Sequence, residues 1–404
     1  MAGEDGVRPV GKIRVAHIIT RLIIGGAQEN TLFTVEGLMT SEDFEPLLIT
    51  GPPIGPEGEL VQRARSKGVN LVIVPELRRE IHPIRDSLSL LKLIRLLREF
   101  KPDIVHTHSS KAGILGRLAA RLVGTKVIVH TIHGLPFHPY QSRLLNALFI
   151  VLERTAARWT DCLVTVADAM WEKAIKVGIA PRRKFRTIYS GIEVEGFLKS
   201  AKHRAAMRRK LGFSRNDIVI GKVARLFHLK GHEYLFEAFP IVLDAFPRAK
   251  LLLVGDGILR RRLERMAERL GFADKVRFAG LVDPSLIPAY ISAMDVVVHA
   301  SLREGLARVL PQALLCGKPV VSYDIDGARE VIIDGETGRL VPPQSVGPLA
   351  NAIIEILSNR AAARRMAERG RKLCAERFPV EKMVAALKAL YHDLLFKRAP
   401  ESYR

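Results

Sequence analysis

Asp295-Val296-Val297-Val298, then Glu304-Gly305-Leu306-Ala307-Arg308-Val309-Leu310-Pro311-Gln312-Ala313-Leu314, then Pro319-Val320-Val321 follow one another in the last third of the chain. Short apolar runs of this kind read as strands buried on both faces, and the segment between them reads as a loop running into a helix. Strand, helix and strand in succession imply parallel pairing. Glu304 falls in the strand-end loop and Gln312 inside the helix that follows. A carboxylate and a long amide so placed can converge on one polyhydroxylated ligand, because each oxygen accepts from a hydroxyl.

The same alternation runs outward over the whole chain. Strands are expected at Ile13–Ile19, Pro46–Thr50, Leu71–Val74, Ile104–His106, Val127–Thr131 and Leu163–Val166, with helical patterns between them such as Ser87–Phe100 and Arg143–Arg158. A second series begins at Ile218–Val223 and continues through Lys250–Val254, Val276–Phe278, Val296–His299 and Val320–Tyr323. Between the series lies the polar connector Ser190–Ala201. The expected architecture is α/β: two doubly wound, Rossmann-like domains facing across a cleft, over 1–195 and 196–378, with 1–11 as a flexible leader. A final helix over 379–404 would cross back onto the first domain. Ligands of such sheets bind beyond the carboxyl ends of the strands, which directs attention to the loops there.

Composition narrows the function classes. At 404 residues the chain is long enough for two cores, and 48% hydrophobic with 26% charged residues is an ordinary globular balance. No apolar stretch reaches the ~18 residues of a membrane span, and the polar start Met1 to Gly11 lacks the apolar core of a signal peptide. A cytoplasmic protein is expected. Cys162, Cys316 and Cys374 have neither disulfide nor metal-ligand spacing. Lys plus Arg at 63 against Asp plus Glu at 42 leaves a formal charge of +21, suited to anionic partners. No nucleic-acid module accompanies the basic residues, and 6% aromatics offer little base stacking, so no nucleic acid is expected. A solvated basic surface and an anionic membrane surface both remain open.

Four strand-end loops carry candidate chemistry. Gly25 and Gly26, between the first strand and helix, permit close backbone approach at a helix N-terminus that can meet an anion; a tight βα turn explains them equally. Arg225 and Lys230, flanking the turn after the first strand of the second domain, can grip a diphosphate with a planar fork and a mobile point charge. His133 ends a strand of the first domain and could position or polarise a hydroxyl, or serve as a structural histidine. Glu304 and Gln312 form the fourth. His106 and His108 have a spacing that evokes a metal, but no suitable third ligand is near in sequence, so they read as cleft-lining or structural. Asp324-Ile325-Asp326 has the form of a metal-holding DxD; caps at a turn into a helix explain both acids better.

In order and together, Gly25-Gly26-Ala27-Gln28, Asp103 to His108, Thr131-Ile132-His133-Gly134, Arg225 with Lys230-Gly231, Leu253 to Gly257, Val276 to Gly280, the Glu304 segment and Gly317 to Val321 make the chain resemble a GT-B glycosyltransferase of the large retaining family 4. The likeness spans nearly its whole length. It implies sugar transfer from a nucleotide-sugar donor, with UDP-sugars favoured over GDP-sugars, to a hydroxyl of a glycan or lipid-linked acceptor. The donor would be held mainly by the second domain and the acceptor by the first. By the same resemblance Arg225 and Lys230 match the donor diphosphate pair, and Gly25 and Gly26 the loop closing on the phosphates. His133 matches the active-site histidine facing the donor sugar, and Glu304 the first acid of an E-x7-E signature. The second acid of that signature, which meets the ribose, is replaced by Gln312. An amide still holds a hydroxyl but loses charge assistance, so donor affinity or nucleotide preference should change before the chemistry does.

Arg225, Lys230 and the Gly25-Gly26 helix terminus can neutralise a leaving diphosphate by preorganised electrostatics, so no metal and no cofactor is expected. Arg78, Arg79, Arg95, Arg98 and Lys101, with the apolar helix Leu144–Leu152, would suit docking on an anionic membrane, at the inner face of the plasma membrane, to reach a lipid-linked acceptor. Two other classes stay open from the residues: a nucleotide-sugar epimerase of related fold, and a non-catalytic nucleotide-sugar-binding relative motivated by Gln312.

Overall fold

The computed structural model describes residues 11–55 and 58–396; the leader read over 1–11 lies, Gly11 apart, outside the described residues. The first sheet contains β1 (Ile13–Ile19), β2 (Phe44–Thr50), β3 (Leu71–Ile73), β4 (Ile104–His108), β5 (Val127–Ile132), β6 (Cys162–Thr165) and β7 (Phe185–Thr187). The second contains β8 (Ile218–Val223), β9 (Ala249–Val254), β10 (Val276–Phe278), β11 (Val296–His299), β12 (Val320–Tyr323) and β13 (Arg339–Val341). Strand order is β3-β2-β1-β4-β5-β6-β7 in one and β10-β9-β8-β11-β12-β13 in the other, with every pair parallel. Helices cover both faces, which is why the strand interiors are apolar throughout: Val15, Ala16, Ile18 and Ile19 of β1 are all fully buried.

In each sheet the order reverses once, between β1 and β4 and between β8 and β11. The loops leaving β1, β8 and β11 carry Gly25-Gly26, Arg225 with Lys230, and Glu304, and His108 closes β4. Topology therefore opens a crevice at each of the two reversals, and the site residues gather there.

β7 and β13 are additions to the strands legible in the sequence. Each is a three-residue edge strand, Phe185-Arg186-Thr187 and Arg339-Leu340-Val341, too short and too polar to stand out as an apolar run. The helix expected from Ser87 begins earlier, at Pro83, whose fixed φ suits a first helical position, and His82 Nδ1 accepts from the Arg85 N–H at its start.

The chain crosses between domains twice, side by side. The Ile192 N–H donates to Phe378 O at 2.8 Å, and the Val380 N–H donates to Ile192 O at 3.0 Å. The last helix, Val380–Phe396, then lies on the first domain, where Met383, Val384, Leu387 and Tyr391 pack with Val15, Phe33, Leu38 and Phe44. A separate apolar cluster continues across the domain boundary, joining Leu163, Met170 and Phe185 to Leu310, Leu314 and Val331. Leu387 is only 3% exposed. Leu387→Ala should lower stability by about 2–5 kcal/mol, read as a shift in the urea unfolding midpoint of the first domain.

Candidate active site

Between the domains lies a cleft of about 1270 Å³, walled on one side by the Arg21–Gln28 loop and His133 and on the other by Arg225, Lys230, Glu304 and Gln312. All seven residues singled out from the sequence border this one cavity. Gly25 caps the helix Gly26–Met39, whose first-turn N–H groups have no side-chain partner. Gly26 lies against the Arg308 side chain, where an added Cβ would stand 3.2 Å from Arg308 Cδ. The two domains nearly touch at Gly305, because a Cβ there would fall 2.2 Å from the His133 carbonyl oxygen. Only glycine permits that approach.

The basic pair is built by a tight turn. Gly231 has φ 63°, and a Cβ on it would sit 1.7 Å from the Ala300 carbonyl oxygen, so the turn into helix His232–Ala245 requires glycine. That turn aims Lys230 across the cleft floor, where its Nζ donates to Glu304 Oε1 at 2.6 Å. His299 Nε2 stands 3.4 Å from the same oxygen, beyond a good hydrogen bond. The Glu304 N–H donates to Asp326 Oδ2 at 2.7 Å, which fixes the loop. Burial pushes the Glu304 carboxyl up, but the Lys230 charge and His299 outweigh it and hold the group well below the usual carboxylate range. Arg225 lies over the Phe227 ring at 5.2 Å. The Gln312 side chain is half-buried at the cleft edge on the short helix Val309–Leu315 and makes no hydrogen bond among the described residues.

Asp324 and Asp326 are not helix caps. Asp324 takes a two-pronged bond from Arg329, at 2.7 and 2.5 Å, while Asp326 holds Lys173 and the Glu304 N–H. The pairing of acids with basic side chains and with a loop N–H replaces the capping expected from the sequence.

Behind His133 runs a chain of imidazoles. His133 Nε2 pairs with His108 Nδ1 at 3.1 Å, and His108 Nε2 pairs with His17 Nδ1 at 3.1 Å. His106 joins Tyr391 Oη at 2.5 Å and Thr131 Oγ1 at 2.7 Å. β1 thus supplies the third imidazole that sequence spacing could not, and one ring nitrogen from each of His17, His106 and His108 lies within 4.8 Å of the others. Of the six ring nitrogens in that trio only His17 Nε2 lacks a hydrogen-bond partner. The rings of His106 and His108 also lie 4.3 Å apart. Burial pushes His133 down to about 3, helped by the Arg308 charge, and burial alone does the same to His17. His133 therefore offers the cleft a neutral imidazole, suited to hydrogen bonding a hydroxyl.

The two halves of the chain match two family descriptions in sequence order: Glycosyltransferase Family 4 over residues 24–195, and Glycosyl transferases group 1 over residues 203–373. Among curated relatives, the UDP-Gal:alpha-D-GlcNAc-diphosphoundecaprenol alpha-1,3-galactosyltransferase of Escherichia coli is 30% identical over 389 residues, covering 96% of this chain and 98% of that one. The chain belongs to the group 1 glycosyltransferases of GT-B fold. An alpha-D-kanosaminyltransferase of Streptomyces kanamyceticus is 27% identical over 76% of this chain and 82% of its own length. The same fold is seen in the Anabaena protein HepE, solved with UDP and glucose, at TM-score 0.81 and 22% identity over 94% of this chain and 99% of that one.

As a glycosyltransferase the chain carries two further cleft residues that sequence reading passed over. Arg308 reaches across the cleft, its Nη1 donating to Glu29 Oε2 at 2.6 Å and its Nη2 to Gly191 O at 3.3 Å, with the guanidinium 5.6 Å from the Phe33 ring. It stands inside the quoted Glu304 segment, where nothing in the local pattern assigns it a role. His299 closes β11 and is buried, where it reads from sequence as one more strand residue.

The buried histidines of this glycosyltransferase make its stability fall in acid. Each is neutral in the fold and titrates near 6.5 when unfolded, so the stability it contributes is fully present above about pH 6.5 and is lost as pH drops toward the folded value. Urea unfolding at pH 7 and pH 5 should show a clear loss at the lower pH. In His17→Leu that loss should be smaller by about 2 kcal/mol, the share of one imidazole over this interval.

Proposed function

We propose that this glycosyltransferase moves a sugar, with retention at the anomeric carbon, from a UDP-sugar to a hydroxyl of a sugar carried on a lipid diphosphate. The observation that carries the reading is the Lys230–Glu304 pair, set at 2.6 Å in the floor of the interdomain cleft and facing the N-terminus of helix Gly26–Met39. Arg225, Lys230 and the helix terminus would take the donor diphosphate between them, with Arg308 adding a third cation. Glu304 would then accept from hydroxyls of the donor sugar, and His133 would meet the same sugar from the other domain. The bond between the anomeric carbon and the diphosphate oxygen breaks with its electron pair going to the leaving nucleotide. The acceptor oxygen bonds to that carbon from the same face, and its proton passes to a phosphate oxygen of the leaving group. The transfer uses fixed charges of the chain, with no metal or cofactor assigned a role.

The donor class and the lipid-diphosphate acceptor are supported by the activity of the Escherichia coli relative, and UDP is the nucleotide bound in the Anabaena neighbour. Glu304→Ala and Lys230→Ala should each lower acceptor-dependent UDP release by about 100-fold. Unchanged release in both would sink the site assignment. Gln312→Glu should tighten UDP binding roughly tenfold in titration calorimetry if the side chain faces the ribose, because a charged acceptor makes the stronger bond.

An anionic membrane is where such an acceptor would be met. No described helix is long and apolar enough to cross a membrane. Helix Arg143–Arg158 nevertheless turns apolar residues outward, with Leu144 86%, Leu148 48% and Val151 56% exposed, while Ile84 and Leu91 do the same on helix Pro83–Phe100 at 68% and 63%. Arg78, Arg79, Arg95 and Arg98 lie on or just before the second of these helices, and this combination fits an anionic interface. Co-sedimentation with phosphatidylglycerol vesicles should be strong at low salt and weaker at high salt. It should fall sharply in Leu144→Glu/Leu148→Glu, whereas salt-independent or absent binding would rule the membrane out.

A further inference from the structure

A second cavity, of about 560 Å³, lies beside the cleft described above. Glu304 is the one described residue that borders both. The two cavities therefore adjoin at the carboxylate assigned to the donor sugar, and a group seated in the second lies next to the cleft.

One wall of the second chamber is the loop that follows His133, with Leu135, Phe137 and Tyr140 facing it. This loop is held in place. Asn146, in the first turn of the next helix, accepts from the His138 N–H at 3.0 Å and from Gln141 Nε2 at 2.8 Å, and donates back to His138 O at 2.9 Å. Arg303, from the other domain, donates to Leu135 O. The opposite wall is charged, with Asp324 and Asp326 beside Lys173, Lys176 and Arg329. Lys173 and Arg329 are matched by the two aspartates, at 2.5 Å in each case. Lys176 has no ion pair among the described residues and stands exposed at the rim.

Aromatic faces opposite carboxylates are the composition that holds a sugar ring, with the apolar face stacked and the hydroxyls donating. An unmatched lysine at the mouth suits an anionic group attached to that sugar. The volume lies inside the 300–1,000 Å³ common for small-molecule sites, enough for a hexose with its linkage. Four residues beyond Tyr140 the chain reaches Leu144, the most exposed apolar side chain of helix Arg143–Arg158. A lipid tail leaving the chamber past Tyr140 would meet apolar surface at once.

We propose that the second chamber is the acceptor subsite, taking a sugar joined to a diphosphate, with Phe137 and Tyr140 against the ring and Lys176 toward the diphosphate. This rests on the transferase reading proposed above, and the test separates the two. Two synthetic acceptors are compared with the full chain: N-acetylglucosamine joined through a diphosphate to a short prenyl chain, and the same sugar as a neutral alkyl glycoside. Tyr140→Ala should raise the KM for the diphosphate acceptor tenfold or more while the Kd for UDP stays unchanged, and Tyr140→Phe should restore it. Lys176→Glu should raise the KM for the diphosphate acceptor and leave that for the neutral glycoside as it was. An acceptor KM indifferent to Tyr140→Ala, or a matching loss of UDP affinity, overturns the subsite. Equal use of both acceptors by the wild type overturns the diphosphate assignment. Wild-type protein that binds no UDP would instead bring down the donor reading on which the subsite rests.

Discussion

The contact between Lys230 and Glu304 is the one on which the geometry of the cleft depends. The two side chains are 21% and 17% exposed, so each has lost much of its water, and a carboxylate so placed stays ionised only beside a cation. The surrounding chain is arranged to hold them together. Gly231 takes a backbone conformation that swings Lys230 over the floor, and Asp326 fixes the Glu304 loop through its N–H. Gly305, next in the chain, lets the opposite domain come within contact of that loop. Altering any of these moves the same carboxylate.

On the reading proposed above, the pair would occupy the donor site before the donor arrives. A diphosphate entering beside Arg225 would compete with Glu304 for Lys230, and two phosphate groups offer the ammonium more charge than one carboxylate. With Lys230 turned toward phosphate, Glu304 would lose its main counter-charge and become a strong acceptor for sugar hydroxyls. His299, 3.4 Å away, remains beside it, and burial pushes the nearby Lys222 amine down to about 7. Donor binding would thus convert a resting ion pair into two substrate contacts without bringing a new residue into the cleft.

Most of the fold was legible because parallel sheets bury both strand faces, so β1, β8 and β11 announce themselves as apolar runs of the right length. β7 and β13 escaped because an edge strand of three residues needs no such run. The candidate site was legible where a residue type is rare in its setting, as with Glu304 after an apolar strand or Gly25-Gly26 before a helix. What could not be read was anything fixed by strand order. His17 and His108 are 91 residues apart and meet because β4 inserts beside β1, a fact of topology invisible to local pattern. Arg308 fails for a different reason: an arginine before a helix is common, and only the facing domain, with Glu29 and Gly191, gives it a role. Helix Arg143–Arg158 shows a third limit, since periodicity reveals an apolar stripe but not that it faces outward.

The interdomain contacts differ in how they would respond to opening. The crossings at Ile192 and Pro379 are joined by backbone hydrogen bonds, beside the cleft and not across it, and can persist through a rotation. Arg308 to Glu29, Lys173 to Asp326, and the Glu330 carboxylate accepting from the Asp168 and Ala169 N–H groups at 2.8 and 3.1 Å all span the gap and would part. These charged contacts can part and re-form readily, because water replaces what an opened ion pair loses, whereas the apolar cluster joining Leu163, Met170 and Phe185 to Leu310, Leu314 and Val331 resists separation. Arg308 is the most consequential of these. Its partner Glu29 lies in the first turn of the helix whose terminus would meet the diphosphate, so an arriving phosphate is offered a guanidinium already held at the right end of the helix. Closing the domains and neutralising the leaving group would then draw on the same side chain, which would couple exclusion of water to the presence of the donor.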